Sequence, residues 1–192
     1  MVVHLIRHGK TTANEKQLYC GQTDIPLSEQ GVLDILEYKQ QGIYPLTVDL
    51  FFTSGRLRTE QTLNLIYGNP LREILSQLAE YHFGFFEMKS HADLELQDDY
   101  QSWIMDETGH VFCPNGDSKK SFAKRVLRGF NLLLRQAQRV EAVLVVCHGG
   151  VITCIMDNLF PDTRNFYEWH PEPGRGYSLT YDIEMVCSYK TI

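Results

Sequence analysis

Two histidines in this sequence come directly after short apolar runs, and they are the residues best placed to do chemistry. His8 follows the run at 2–6 and the neighbouring Arg7, and His148 follows the run at 142–147. Short β-branched runs that stop at glycine predict buried strands that end in a turn. Because ligands bind at the carboxyl ends of strands in an open α/β sheet, we expect both imidazoles to face one crevice. With Arg7 beside His8, that crevice would suit a phosphate group and a nucleophile that receives it.

Three further segments carry groups suited to an anion or to proton transfer. Arg56 and Arg58 follow another predicted strand, where positive charge in a first helical turn opposes the macrodipole and favours an anionic partner. Taken alone, these arginines could equally begin a solvent-exposed helix. Glu80 is uninformative by itself, because most glutamates are solvated. Gly149 stands where a strand ends and a helix begins, and exposed N–H groups at such a position attract anions.

The elements that must position these side chains alternate between strands and helices. Strands are predicted over residues 2–7, 49–54, 73–78, 142–147, 177–183 and 185–192. Helices are predicted over about 29–41, 56–67, 119–139 and 149–159, and a long polar loop over 14–27. This alternation predicts an α/β fold, a three-layer α/β/α sandwich with a mostly parallel central sheet.

The chain has 192 residues, of which 43% are hydrophobic, and this is enough for one sizeable core. We therefore expect a single domain over 1–192. Residues 81–117 are rich in aromatic and charged side chains, and part of this segment, about 91–106, could be helical. We interpret 81–117 as an elaboration over the active site and not as a second domain.

Composition excludes several classes of partner and location. A net charge of −6 disfavours nucleic acid, because binding to a phosphate backbone needs a basic face. No apolar run is long enough to span a membrane, and the N-terminus lacks the features of a secretory signal. The five cysteines are odd in number and form no CxxC pair, which argues against a disulfide framework or a zinc site and favours a reducing, cytoplasmic setting. A monomer and a homodimer both remain open.

Five motifs occur along the chain in a fixed order. They are Arg-His-Gly-x-Thr-x-x-Asn at 7–14, Gly21-x-x-Asp24-x-Pro26-Leu27-Ser28-x-x-Gly31, Ser54 with Arg58-x-x-Gln61-Thr62, Leu78-x-Glu80-x-x-Phe83-Gly84-x-x-Glu87, and His148-Gly149-Gly150. Together they resemble the histidine phosphatase superfamily, which contains the phosphoglycerate mutases. The resemblance covers essentially the whole chain, and the joint order of the motifs is far more specific than any one of them.

The resemblance implies a phosphomonoesterase that needs no metal and no other cofactor and acts on a small phosphorylated substrate. His8 would accept the phosphoryl group, because imidazole is largely neutral at pH 7. The implied roles of the other residues are a phosphoryl clamp for Arg7 and Arg58, hydrogen bonds to the phosphoryl group for His148 and Asn14, proton transfer for Glu80, and phosphate or substrate binding for Gln22, Thr23 and Gly149. Glu87 is the rival to Glu80 as the acid.

Three positions depart from the family pattern. Lys10 stands where glutamate is usual, Asp117 stands where the longer glutamate is usual, and Arg56 stands where the family commonly has an apolar residue. The rim of the pocket is therefore expected to be more basic, and the contact of the shorter Asp117 carboxylate to be lost or rerouted through water. None of the three removes a proposed catalytic group.

The stretch at 83–94, with Tyr100 and Trp103 after it, resembles the α-ribazole phosphatase branch. An aromatic wall would suit the flat base of a nucleoside-like substrate, and the alternative is that these rings belong to the core. The expected substrate is α-ribazole 5′-phosphate, an intermediate in assembling the lower ligand of cobalamin. The alternatives are a broad phosphatase for sugar or nucleotide monophosphates, a phosphoglycerate mutase, and a module that binds phosphate without catalysis.

Overall fold

A computed structural model describes residues 1–161, 163–182 and 185–192 and places six strands in one sheet of order β3-β2-β4-β1-β5-β6. The strands are β1 (Val2–Arg7), β2 (Leu50–Thr53), β3 (Arg72–Ile74), β4 (Ala142–Cys147), β5 (Gly176–Asp182) and β6 (Met185–Thr191). The pairs β3/β2, β2/β4 and β4/β1 are parallel, whereas β5 runs antiparallel to both β1 and β6. The prediction of a mostly parallel sheet is confirmed.

The described α-helices are α1 (Thr12–Glu15), α2 (Glu29–Gln40), α3 (Leu57–Tyr67), α4 (His91–Leu94), α5 (Asp98–Ile104), α6 (Lys119–Gln136) and α7 (Gly149–Leu159). Short 3-10 turns occur at Ser76–Leu78, Gly84–Phe86 and Phe166–Trp169. None of the helices in the described part of the chain is long and apolar enough to cross a membrane.

The two faces of the sheet bury separate apolar clusters. Leu5 and Val145 pack with residues of α6 and α7, whereas Ile6 and Val146 pack with residues of α2 and α3. Successive side chains of a strand point to opposite faces, so a strand covered on both sides is apolar at nearly every position. The three-layer arrangement is confirmed, and it explains why the runs before the two histidines show no alternation.

The predicted strand at 73–78 is wrong in its second half. β3 ends at Ile74, and Ser76–Leu78 forms a 3-10 turn. Leu75 and Leu78 are both buried. Their spacing of three residues fits a helical turn and not the period of two that a strand requires. This early end of the strand frees the chain to turn towards the site.

Other boundaries differ from the predictions. The helix at about 91–106 is two helices, α4 and α5, and the helix predicted to reach Arg139 ends at Gln136. The polar loop at 14–27 begins inside α1, where Thr11 caps the helix. Ile183, the predicted end of a late strand, lies outside the described residues.

The aromatic side chains of 81–117 form a cluster of their own. Tyr100 is fully buried, and Trp103 and Tyr81 are each 7% exposed. Trp103 Nε1 donates a hydrogen bond to the Tyr81 hydroxyl at 2.8 Å, and that hydroxyl donates to the Asp117 carbonyl at 2.7 Å. These contacts join the start, the middle and the end of the segment. The aromatic rings therefore hold this segment together.

Candidate active site

The parallel pairing of β1 and β4 brings His8 and His148 together. Arg7 lies opposite Cys147 in the register, and the His8 backbone N donates to the Cys147 carbonyl at 3.0 Å. The two imidazole rings then lie edge to face, with their centroids 5.2 Å apart. The expectation that two strand ends carry both histidines to one crevice is confirmed.

His8 is held in one tautomer. Its Nδ1 lies 2.7 Å from the carbonyl oxygen of Gly9, and a carbonyl can only accept, so the proton is assigned to Nδ1. The Nε2 atom then carries a free lone pair. Burial, followed by the charges of Arg58 and Arg7, holds the pKa of His8 well below its usual value. His8 therefore presents a neutral imidazole at pH 7, with the Nε2 lone pair available.

His148 is fully buried and is held by a residue from a third strand end. Its Nε2 lies 2.8 Å from the hydroxyl oxygen of Ser54, which follows β2 directly. Burial and the charge of Arg58 keep the pKa of His148 well below its usual value. No role was predicted for Ser54 from the sequence, although its position after a parallel strand was a usable signal.

Arg58 lies beneath the crevice and is completely buried. Its guanidinium donates to the carbonyl of Thr23 at 2.9 Å and to the carbonyl of Gly21 at 2.8 Å. Glu87 holds the same loop from the other side, because its carboxylate accepts from the backbone N atoms of Gly21, Gln22 and Thr23 and from the Thr23 hydroxyl. The loop at 21–23 thus connects a buried cation to a half-buried acceptor.

Glu87 is a committed hydrogen-bond acceptor. Burial by itself would raise the pKa of Glu87, but hydrogen bonds from Gln22 and Thr23 lower it overall. A carboxylate stabilised in its ionised form by several donors is poorly suited to deliver a proton. The Glu87 carboxylate is therefore occupied by the loop at 21–23.

Glu80 contacts the start of α7, the helix that follows His148. Its Oε2 accepts from the Gly150 backbone N at 3.0 Å, in the first turn of α7, and its Oε1 accepts from the Tyr81 backbone N at 2.9 Å. The positive end of the α7 dipole favours this carboxylate. Burial lowers the pKa of Arg7 and of Arg58, and the negative charge of Glu80 opposes this effect at both.

Arg125 of α6 anchors the segment that carries Glu80. Its guanidinium donates to the carbonyls of Gln77, Ala79 and Glu80 at 3.0, 2.7 and 3.1 Å, and it forms an ion pair with Asp117 at 2.9 Å. Asp117 thus makes a direct contact in spite of its shorter side chain, and the expected loss of its contact is wrong. Arg125 was missed because it occupies an ordinary position of a long polar helix.

Three buried nitrogens at the site have no hydrogen-bond partner among the described residues: Arg7 Nε, Arg58 Nε and His148 Nδ1. Elsewhere on the same guanidinium, Arg7 Nη1 donates a hydrogen bond to the Pro171 carbonyl at 2.7 Å. A buried polar group without a partner is costly, and an anion bound between the arginines would satisfy such donors. In the described part of the chain, no cluster of three or more histidine, cysteine or acidic side chains is arranged to hold a metal ion.

The predicted binding residues Thr23, Asn14 and Gly149 differ in which of their groups other residues already contact. Both donors of Thr23 are committed to Glu87, and Asn14 Oδ1 accepts from the backbone N and hydroxyl of Thr11, which leaves its amide nitrogen to donate. Gly149 begins α7, and a Cβ there would lie 2.3 Å from the ring of His170. His170 was missed in the sequence because it lies in a loop far from any strand end.

A cleft of about 450 Å³ opens beside these groups. Its polar lining comprises Gln22, Ser54, Arg56, Ser76, His82, Asp117 and Arg125. No phenylalanine, tyrosine or tryptophan of the described chain lines it. The expected aromatic wall is therefore wrong for this cleft, since Tyr81, Phe86, Tyr100 and Trp103 pack against one another in the core.

A sequence model of the histidine phosphatase superfamily (branch 1) matches residues 3–184. This chain belongs to that superfamily. The resemblance seen in the five motifs is confirmed.

Several relatives of this histidine phosphatase share nearly its whole length. An adenosylcobalamin/alpha-ribazole phosphatase of Escherichia coli is 32% identical over 190 residues, covering 96% of this chain and 91% of the relative. A phosphoglycerate mutase of Gloeobacter violaceus is 28% identical over 170 residues, covering 82% and 76%. The crystal structure of the alpha-ribazole phosphatase from Shigella flexneri superposes with a TM-score of 0.85 at 27% identity, covering 97% of this chain and 93% of the other.

Proposed function

We propose that this histidine phosphatase is a metal-independent phosphomonoesterase that works through a phosphohistidine intermediate on His8. The observation that carries the proposal is the neutral, buried His8, whose Nε2 lone pair is free while the charges of Arg58 and Arg7 act on the ring. The superfamily to which the chain belongs supports the same chemistry.

The reaction proceeds in two phosphoryl transfers. His8 Nε2 attacks phosphorus, so that a P–N bond forms while the P–O bond to the leaving group breaks, and Glu80 gives its proton to the leaving oxygen. A water molecule then attacks phosphorus and breaks the P–N bond, and Glu80 takes the proton of that water. The product is inorganic phosphate, and both His8 and Glu80 return to their starting states.

The remaining groups bind the phosphoryl oxygens. Arg7 and Arg58 neutralise charge that spreads over the equatorial oxygens in the transition state. His148, the amide of Asn14 and the N–H of Gly149 at the start of α7 add hydrogen bonds. We place the leaving group in the cleft of about 450 Å³ described above and call it the leaving-group cleft. Gln22 lines this cleft, and its Nε2 donates to the Glu80 carbonyl at 3.3 Å.

We infer that the substrate is α-ribazole 5′-phosphate. Two relatives named adenosylcobalamin/alpha-ribazole phosphatase are 32% and 31% identical to this chain and align with more than nine-tenths of it. A second candidate, a broader phosphatase for sugar or nucleotide monophosphates, is favoured by the polar cleft, which offers no large aromatic ring on which to stack a base.

The chemistry is tested by hydrolysis of para-nitrophenyl phosphate in EDTA. We expect wild-type turnover to persist, and His8→Ala to lose on the order of 10⁴-fold in kcat. His4→Asn is the control, because His4 is a buried histidine of β1, the strand that leads to His8, and it bonds Ser178 outside the site. Rapid quenching into alkali should trap a phosphoenzyme that acid destroys. Retained activity in His8→Ala, or dependence on added metal, would overturn the proposal.

The substrate is tested by comparing kcat/KM for α-ribazole 5′-phosphate, ribose 5-phosphate, AMP and 3-phosphoglycerate. We expect α-ribazole 5′-phosphate to exceed the others by about tenfold or more, which is the discrimination that roughly 1.4 kcal/mol provides. Equal values across the panel would support the broader phosphatase.

We propose that the enzyme acts in the cytoplasm, since its five cysteines are all free thiols. Recovery of the protein in another cell fraction would contradict this.

A further inference from the structure

Arg56 is a cation of the leaving-group cleft with no carboxylate partner among the described residues. Its side chain is half-buried, and its guanidinium donates to the side-chain oxygen of Gln22. The other arginine of the cleft, Arg125, is neutralised by Asp117. Among the described residues, no acidic side chain forms an ion pair with Arg56, so its positive charge in the cleft is not balanced in this way.

The backbone fixes where the Arg56 side chain begins. Arg56 caps α3, where its carbonyl accepts from the backbone N atoms of Thr59 and Glu60 at 2.8 and 3.0 Å. It stands two residues after Ser54, which bonds His148. Burial is the main cause of the lowered pKa of His148 and of Arg58, and the charge of Arg56 acts in the same direction on both groups.

Gln22 links this cation to the proton-transfer side of the site. Its side-chain oxygen accepts from Arg56, and its side-chain nitrogen donates to the Glu80 carbonyl. Gln22 thus holds Arg56 on the wall of the cleft beside Glu80. A group bound there would belong to the leaving group of the substrate, since the phosphoryl group lies at His8.

We propose that Arg56, supported by Gln22, forms a second anion subsite for phosphomonoesters whose leaving group carries a carboxylate or a second phosphate. The proposal rests on the phosphomonoesterase function proposed above. It extends the substrate range beyond α-ribazole 5′-phosphate, whose nucleoside part carries no anionic group. A guanidinium suits both anions, because it presents paired donors to two oxygens at once.

The test compares pairs of substrates that match in size and differ in charge. One pair is 4-carboxyphenyl and 4-carbamoylphenyl phosphate, and a second is the corresponding 3-substituted pair. The phosphate arm uses 1,3- and 1,4-phenylene bisphosphate, each paired with the corresponding hydroxyphenyl phosphate. The measured quantity is the ratio of kcat/KM for the charged substrate to that for the neutral one. Intrinsic differences in leaving-group reactivity cancel when this ratio is compared between enzyme variants.

Arg56→Leu should lower this ratio by about tenfold for at least one position of the anion, mainly through KM, as expected for loss of a charged hydrogen bond. Arg56→Lys should recover part of the ratio. Added salt should erode the ratio in the wild type and have little effect on it in Arg56→Leu. The control, Arg128→Leu, removes the same charge from an exposed position of α6 and should leave the ratio unchanged.

Four outcomes decide the inference. A fall in the ratio confined to the carboxylates assigns a carboxylate site, and a fall confined to the bisphosphates assigns a phosphate site. An unchanged ratio in Arg56→Leu for every pair, while all the substrates are hydrolysed, overturns the subsite and leaves the phosphomonoesterase standing. Failure of the wild type to hydrolyse any of them, with or without metal, overturns the proposed function and the subsite together.

Discussion

The proposed site has a phosphoryl end, around His8 and His148, and a leaving-group end, around Glu80 and the leaving-group cleft. These two ends are built in different ways. At the phosphoryl end, His8 and His148 follow two strands that pair in register, and Ser54 follows a third strand next to them. At the leaving-group end, Glu80 follows a short 3-10 turn and is held by contacts from α6 and the first turn of α7. One end is positioned by the sheet, and the other by side chains from distant segments.

This difference coincides with where the chain departs from its family pattern. Arg56 and Asp117 both line the leaving-group cleft. Lys10, the third departure, pairs with Asp34 at 3.2 Å and is a partly exposed side chain. The strand register fixes the phosphoryl end, so substitution there would displace the reacting groups. The cleft can change its side chains while the nucleophile stays in place.

The largest contrast between the two ends should come from Glu80→Gln. We expect kcat/KM for alkyl phosphates to fall by about 10²–10⁴-fold, because a poor leaving group needs a proton. The loss for para-nitrophenyl phosphate should be much smaller, since its leaving group departs as a stable anion. Equal losses for both substrates would remove Glu80 from the role of acid.

A smaller effect is expected for Arg58→Lys at the phosphoryl end. Lysine cannot donate to the carbonyls of Gly21 and Thr23 and also present a fork to a phosphoryl group. We expect kcat/KM to fall by about 10²-fold, and by the same factor for alkyl and aryl phosphates. A loss that depended on the leaving group would break the division between the two ends, and Arg128→Lys serves as the matched control.

The smallest effect is expected for Glu87→Gln, which tests whether segment 81–117 supports the phosphoryl end. The amide would turn one acceptor into a donor towards backbone N–H groups, which should loosen the loop at 21–23 and shift Arg58. We expect kcat/KM to fall by about tenfold for every substrate, and the free energy of unfolding to fall by about 1–3 kcal/mol. A loss restricted to alkyl phosphates would instead identify Glu87 as the acid.

The phosphoryl end could be predicted from the sequence to a large extent. Apolar runs that end in glycine predict strands, and catalytic side chains follow such strands at the carboxyl edge of an α/β sheet. The runs before His8 and His148 carry this information locally, and the parallel pairing of β1 and β4 confirmed it. Segment ends were less predictable, as the short β3 and the split between α4 and α5 show, because tertiary packing decides where a short element stops.

The sequence by itself determined the fold class, the superfamily, and the neighbouring positions of His8 and His148. Only the tertiary structure showed that Glu80 meets the first turn of α7 and that Glu87 meets the loop at 21–23, because the direction of a loop carboxylate depends on which distant N–H groups it meets. The same holds for the aromatic rings of 81–117, since composition is identical for a substrate wall and a core. Burial of Tyr100 and Trp103 against their neighbours placed them in the core and left the cleft to polar side chains such as Arg56.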